Sequence, residues 1–292
     1  MIFLKISGGL GNQMFQFATA TALAIKNSTK VAVDLSLFNK KDSKEFTSRP
    51  FDLATFFNIG DTQIVDQKAY SYLFENSFIA KIKRKLRKGS AFFEPNLLFQ
   101  PAVKQLTANS YLEGYFQSEK YFKEYREQVL NLFEFKKTPS AQTKAAVATF
   151  KNKNSIAIHI RRGDYVSKKH INAIHGALPL SYYKDALKKF DLNTHHLVFF
   201  SDDMQWVKEN FTMSDQSKVT FVDWNTGADS WQDMYLMTQC KNFIIANSSF
   251  SWWGAWLAQH AAKQVYCPKT WFNDPKLNQN TKDLIPAEWF RI

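Results

Sequence analysis

The sequence predicts an α/β protein built from two halves with mostly parallel sheets. Short apolar runs alternate with segments of helical period, most regularly in the second half. Strands alternating with helices argue for a parallel sheet covered on both faces. Near the midpoint, Lys136-Lys137-Thr138-Pro139-Ser140 is polar and carries a proline, which marks a linker between residues 1–137 and 138–292. A chain of this length suits about two domains of roughly 150 residues each, or one large one.

In the first half, residues 2–6 read as a strand, Gly8-Gly9-Leu10-Gly11 as a turn, and residues 12–26 as a helix with Met14, Phe17, Ala18, Leu23 and Ile25 available for packing. Residues 31–33 resume as a strand that ends in Asp34, and the polar stretch 36–50 reads as a long loop. Residues 70–88 read as a helix with a basic end formed by Lys81, Lys83, Arg84, Lys85, Arg87 and Lys88. Residues 111–116 read as a strand, followed by a helix to about Phe133.

In the second half, strands are expected at 155–160, 196–200, 219–222, 243–246 and 264–267. Helices are expected at 180–190, 204–210, 230–240 and 250–262.

With 45% hydrophobic and 22% charged residues the chain is globular, not disordered. The net charge of +12 admits nucleic acid, anionic lipid or a phosphorylated small molecule as a partner. The cations are scattered and no RNA-recognition motif occurs, so no nucleic acid partner is expected. Cys240 and Cys267 form no Cys-x-x-Cys pair, which fits a reducing compartment. The apolar start is too short for a secretory signal, and no run approaches the ~20 apolar residues of a membrane span. The expected location is cytoplasmic. The basic end of 70–88 is either a solvated face or a peripheral contact with an anionic membrane. Sequons at Asn27, Asn210 and Asn247 read as chance occurrences without secretion.

Four constellations carry chemistry. The strand at 155–160 runs into Arg161-Arg162-Gly163-Asp164, and ligands of α/β sheets sit beyond the carboxyl ends of strands. Arginine presents a rigid donor fork suited to phosphate. The pair therefore reads either as an anion site or as a salt bridge with Asp164. Ala246-Asn247-Ser248-Ser249-Phe250 places capping residues before an apolar helix, either an ordinary cap or a helix N-terminus that receives phosphate. In a parallel sheet this turn shares an edge with the arginine pair. The turn Ser7-Gly8-Gly9-Leu10-Gly11-Asn12-Gln13 approaches a dinucleotide fingerprint, with Asp34 in the ribose position, but Met14 stands where a third glycine belongs. Asp202, Asp203, Asp229 and Asp233 read either as helix caps and dipole partners or as acids that reach a ligand. A carboxylate that accepts from guanine N1 and N2 would select that base. No Walker A sequence, zinc-type cluster or Asp-x-Asp triplet occurs.

Gly8-Gly9-Leu10-Gly11-Asn12-Gln13-Met14-Phe15-Gln16, His159-Ile160-Arg161-Arg162-Gly163-Asp164-Tyr165 and Asn247-Ser248-Ser249-Phe250-Ser251-Trp252-Trp253 together resemble the bacterial and eukaryotic α-1,2-fucosyltransferases, of glycosyltransferase family 11 type. Phe200-Ser201-Asp202-Asp203 is similar to a fourth block of that family. The resemblance implies a GT-B-like architecture of two Rossmann-like halves, the first on the acceptor side and the second binding GDP-fucose. It implies inverting transfer of L-fucose to a galactose 2-hydroxyl of a galactose-terminated glycan acceptor, of O-antigen or H type, with no metal or other cofactor. Arg162 is then expected on the β-phosphate and His159 beside the nucleotide. Ser248, Ser249 and Phe250 are expected at the diphosphate, with Asn247, Gly9, Gly11 and Asp202 among the donor contacts. By looser analogy, Asp233 reads guanine and Asn12 approaches the reacting centre. Asp164, Glu113 and Asp34 all stand as candidate general bases. Arg161 is expected to hold structure through Asp164. Two alternatives stay open: another fucosyl linkage or sugar nucleotide, and a non-catalytic RNA- or lipid-binding protein.

Overall fold

The computed structural model describes residues 1–39, 50–212 and 215–292. The chain forms two compact units. One comprises Met1–Lys137 with Asn280–Pro286, and the other Thr138–Gln279 with Ala287–Ile292. Residues 280–286 therefore return to the first unit. Asp283 explains why: its carboxylate accepts the Phe99 N–H at 3.0 Å and Lys120 Nζ at 2.6 Å, and its carbonyl accepts Ser118 Oγ at 2.6 Å.

The first unit holds β1 (Ile2–Lys5), β2 (Val31–Asp34), β3 (Gln63–Ile64), β4 (Ser90–Phe93) and β5 (Ser110–Glu113). They lie in the order β3-β2-β1-β5-β4, every pair parallel. Helix Leu10–Lys26 follows β1 and buries Met14, Phe15, Phe17 and Ala18 almost completely. Ser36–Asn39 forms a 3-10 turn where a loop was expected, and residues 40–49 of that loop lie outside the described residues.

The helix expected over 70–88 is shorter. Residues 67–69 and 71–73 form 3-10 turns, and the helix spans only Phe78–Leu86. Ser77 sets its start, since Ser77 Oγ accepts the Ala80 N–H at 3.2 Å. The strand expected over 111–116 ends at Glu113, because the chain then turns sharply. Phe116 sits at φ 51°, an outlier for a bulky residue, held there by its buried ring and by the Glu94 carboxylate accepting its N–H at 3.0 Å. Beyond it come two 3-10 turns, and the helix itself covers only Arg126–Leu132.

The second unit holds β6 (Asn154–Ile160), β7 (His195–Ser201), β8 (Val219–Val222), β9 (Asn242–Ile244), β10 (Val265–Cys267) and β11 (Phe290–Arg291). Their order is β11-β10-β9-β6-β7-β8, again all parallel. Ile156, Ile158, Leu197, Phe199 and Ile244 pack against Tyr183 and Ala186 of helix Leu180–Leu187. Helix Ser249–Leu257 stops short of the expected residue 262. Lys263 Nζ closes its end by donating to Ala255 O at 2.7 Å and Ala258 O at 2.7 Å. Inside this helix Trp252, Trp253 and Trp256 are buried, and Trp252 packs on Trp289 with ring centroids 5.4 Å apart.

Two open, all-parallel α/β sheets in one chain are the two Rossmann-like halves of the GT-B-like class. Among the described residues, no helix is long and apolar enough to cross a membrane. Both cysteines are buried and free.

The tryptophan cluster ties helix Ser249–Leu257 to the C-terminal strand region. Trp252→Ala is expected to destabilise the protein by about 3–5 kcal/mol, the cost of a large cavity. Urea unfolding followed by circular dichroism measures it, and a loss below about 1 kcal/mol would contradict this packing account.

Candidate functional site

In the second unit, chain order and sheet order part company at β6. From β6 the chain moves outward to β7 and β8, then returns to the other side of β6 with β9. Such a reversal leaves a crevice at the carboxyl ends of the two central strands. Residues 161–164 follow β6, and residues 245–250 follow β9, so two of the predicted constellations flank the same crevice. Asp202 and Asp203 follow β7, one strand further out.

The arginine pair is both a salt bridge and an open donor fork. Arg161 bridges two acids, with Nη2 2.6 Å from Asp164 Oδ1 and Nη1 2.9 Å from Asp202 Oδ2. The other Asp202 oxygen accepts the Arg162 N–H at 2.8 Å. A Cβ on Gly163 would stand 2.4 Å from Asp202 Oδ2, so glycine is what lets this carboxylate lie against the turn. Arg162 donates through Nε to Asp203 Oδ2 at 3.1 Å, and its guanidinium lies 3.9 Å from the Trp206 ring centroid. Asp203 is itself fixed as the cap of helix Met204–Asn210, accepting the Trp206 N–H at 3.3 Å. Among the described residues, no protein acceptor takes either Nη group of Arg162. Two parallel donors thus remain for a ligand.

His159, the penultimate residue of β6, is buried, and its ring lies 5.8 Å from that of Phe250. Burial, reinforced by the Arg161 charge, pushes its pKa down to about 3, so the imidazole is neutral throughout the physiological range. Ser248 caps helix Ser249–Leu257 by accepting the Phe250 N–H at 3.3 Å, and its hydroxyl keeps a proton to donate. Ser248, Ser249 and Phe250 are all partly exposed.

Asn247 departs from the expectation of a donor contact. Its buried Nδ2 donates to His175 O at 2.9 Å, Gly176 O at 3.0 Å and Trp271 O at 3.1 Å. The side chain pins two loops around the crevice and has no donor left for a ligand. Asp202 is likewise committed to the two arginines, and it shapes the turn from beneath. Asp233 accepts from Asn225 Nδ2 at 2.9 Å, in a chain that continues through Thr143 to Trp224.

The first unit has its own reversal, between β1 and β5. Gly9, Gly11 and Asn12 lie at the start of the helix that follows β1. Asn12 Oδ1 accepts Gln117 Nε2 at 2.8 Å, which joins the first turn of that helix to the loop after β5. Gly8 at φ 78° packs its Cα side against the Asn12 side chain. Gln117 was not among the predicted site residues; the glycine-bearing turn before it was the available signal. Asp34 is not open to a ribose, because Tyr70 OH donates to one oxygen and the Ser36 N–H to the other at 2.7 Å. Glu113 is held by Tyr111 OH and lies 3.7 Å from Lys5 Nζ. With Asp164 held by Arg161, all three candidate bases are already hydrogen-bonded or ion-paired. Among the described residues, no group of three or more His, Cys, Asp or Glu side chains is arranged to hold a metal ion.

Comparison with known proteins adds a family to this geometry. The model of glycosyl transferase family 11 matches residues 4–292. The chain belongs to that family. An alpha-1,2-colitosyltransferase of Escherichia coli is 33% identical over 100% of this chain and 99% of its own. The Escherichia coli O-antigen biosynthesis glycosyltransferase WbnK is 32% identical over 98% of this chain and 99% of its own. Human galactoside alpha-(1,2)-fucosyltransferase 1 is 35% identical over 107 residues, which make up 35% of this chain and 28% of that protein.

Within this family 11 chain, Asp233 is an acid whose charge state is set by its surroundings. Burial raises its pKa from 3.8 to about 7, and the Asn225 bond partly opposes the rise. A raised carboxyl favours the protonated folded state. Its stabilisation is fully present below the unfolded value of 3.8 and is lost as pH climbs through about 7. Asp233→Asn is expected to melt close to the wild type near ~pH 4 and above it near ~pH 8. Melting curves across that range check this, and a gap independent of pH would refute it.

Proposed function

We propose that this family 11 glycosyltransferase moves L-fucose from GDP-β-L-fucose to the 2-hydroxyl of a galactose residue in a glycan, with inversion and without a metal. The observation that carries the reading is the Arg162 fork. It is held by Asp203 and Trp206, with both Nη groups available, beside the capped start of helix Ser249–Leu257. A departing diphosphate needs donors aimed at growing negative charge, and such preorganised donors are usually the largest catalytic contribution. Arg162 supplies a bidentate pair, while the helix start supplies N–H groups and the Ser248 hydroxyl.

His159 contributes shape, not protons. A neutral imidazole with a pKa near 3 packs Phe250 against the crevice floor. Asp233 reads the guanine in its ionised form, so donor affinity rises as pH climbs through about 7. Positive charge develops on the fucose ring as the glycosidic bond breaks, and the acceptor hydroxyl loses its proton late, which relaxes the demand for a strong base.

The full-length similarity to a colitosyltransferase favours one second reading, a GDP-colitose donor, which differs from GDP-fucose by the 3-hydroxyl. Incubating the enzyme with each donor and a panel of Galβ1-3GalNAc, Galβ1-3GlcNAc, Galβ1-4GlcNAc and lactose, with linkage read by NMR, separates the two. Transfer to a hydroxyl other than O2 would overturn both. Arg162→Ala is expected to fold normally and lose turnover by roughly 10²–10³-fold, an oxyanion-donor-sized effect. Near-wild-type turnover would remove Arg162 from the diphosphate. Treatment with EDTA is expected to leave turnover unchanged.

A further inference from the structure

Helix Phe78–Leu86 is built the wrong way round for a surface helix of a globular domain. Its apolar side chains face outward: Phe78 is 77% exposed, Ile79 77%, Ile82 44% and Leu86 79%. At 3.6 residues per turn these four fall on one stripe about 100° wide. The face turned toward the protein is cationic. Lys83 Nζ lies 4.4 Å over the Tyr72 ring, and Arg87 lies 5.5 Å over the same ring. Arg84 Nη1 donates to Leu73 O at 2.9 Å, and only Ala80 is buried within the helix. The helix is therefore anchored by cation–π contacts and carbonyl bonds. Its hydrophobic side chains do not join the core.

The surroundings of the stripe say what covers it. Residues 78–88 contain six cations and no acid. Among the described residues, none of these cations is ion-paired. Lys81 and Lys85 border the stripe on one side and Lys83 on the other. A second copy of this chain docked stripe to stripe would bring two cationic rims together. A polyanion such as RNA would satisfy the rims and leave four large apolar side chains in water. A bilayer with anionic headgroups satisfies both, because the apolar stripe enters the acyl boundary while the lysines meet phosphates.

We propose that helix Phe78–Leu86 docks the enzyme, lying in the plane of the surface, on an anionic lipid bilayer. The interaction is peripheral and needs both parts of the helix, apolar insertion for depth and lysine charge for selectivity. This inference is independent of which sugar the enzyme transfers.

Flotation with lipid vesicles tests it. The intact protein is mixed with phosphatidylcholine vesicles, or with vesicles of about seven parts phosphatidylcholine to three parts phosphatidylglycerol. Binding is expected to be at least about tenfold stronger to the anionic vesicles and to weaken with salt. The triple variant Phe78→Ser, Ile79→Ser, Leu86→Ser keeps every charge and is expected to lose binding by about tenfold or more. The pair Lys81→Glu, Lys85→Glu is expected to lose the preference for anionic vesicles. Both variants alter exposed side chains, so their unfolding midpoints should match the wild type. Failure of the wild type to float with anionic vesicles overturns the proposal. So does a serine variant that floats as well as the wild type. A wild-type dimer that the serine variant converts to monomer, without vesicle binding, assigns the stripe to a second copy. Tight binding to single-stranded RNA that only the charge reversal abolishes assigns the face to a polyanion. Either outcome overturns the membrane reading.

Discussion

The Asp202 carboxylate is the interaction on which the second unit's site depends. From the end of β7 it takes the Arg162 backbone N–H on one oxygen and the Arg161 guanidinium on the other. That crosses the strand edge and fixes the turn after β6. It also fills the space a side chain would need at position 163. With Arg161 spent on Asp202 and Asp164, the neighbouring arginine is the one whose Nη groups stay unclaimed among the described residues. Asp203 then holds only the Nε of Arg162. The Arg-Arg-Gly-Asp run is thus a single mechanical unit: one arginine to fasten, one to present, a glycine to admit the clamp and an acid to close it.

The same logic recurs in the first unit with neutral groups. There the reversal between β1 and β5 is tied by an amide pair, Asn12 and Gln117, beside the Lys5–Glu113 ion pair that joins the ends of the two strands. Gln13 fixes the neighbouring backbone by donating to Gly8 O at 2.8 Å and accepting the Asp52 N–H at 3.0 Å. The acids nearby, Asp34 and Glu113, each accept a hydrogen bond from a tyrosine hydroxyl. A carboxylate-lined edge with no net call on a phosphate contrasts with the cationic fork of the other unit, and the two edges suit different chemistries.

Much of this was legible in the sequence where a strand is long and ends abruptly in charge. β6 and β7 each run for seven residues into polar ends, and their positions could be read to within a residue or two. The edge strands β3 and β11 are two residues long, too short to leave a period. The 70–88 pattern hid its own interruption, because a serine cap at Ser77 and two 3-10 turns preserve helical spacing while breaking the helix. The Arg161–Asp164 pairing was readable from adjacency. The role of Asn247 was not, since its three acceptors lie 24 to 72 residues away. Its neighbours suggest a ligand contact, and only the fold shows a clamp. Nor could the outward turn of Phe78, Ile79 and Leu86 be read, because a helical period shows that a face exists without saying which way it points.

The amide nitrogens of the three sequon asparagines carry a consequence for heterologous production. Asn27 Nδ2 donates to Leu23 O at 2.9 Å, Asn210 Nδ2 to Trp206 O at 2.9 Å, and Asn247 Nδ2 to three carbonyls. Each nitrogen that an oligosaccharyltransferase would alkylate is therefore already engaged with backbone in the folded chain. For Asn247 the conflict is severe, since a sugar attached before folding would hold apart the loops that its amide draws together. Routing this chain through a eukaryotic secretory pathway would set glycan attachment at that nitrogen directly against closure of the crevice wall.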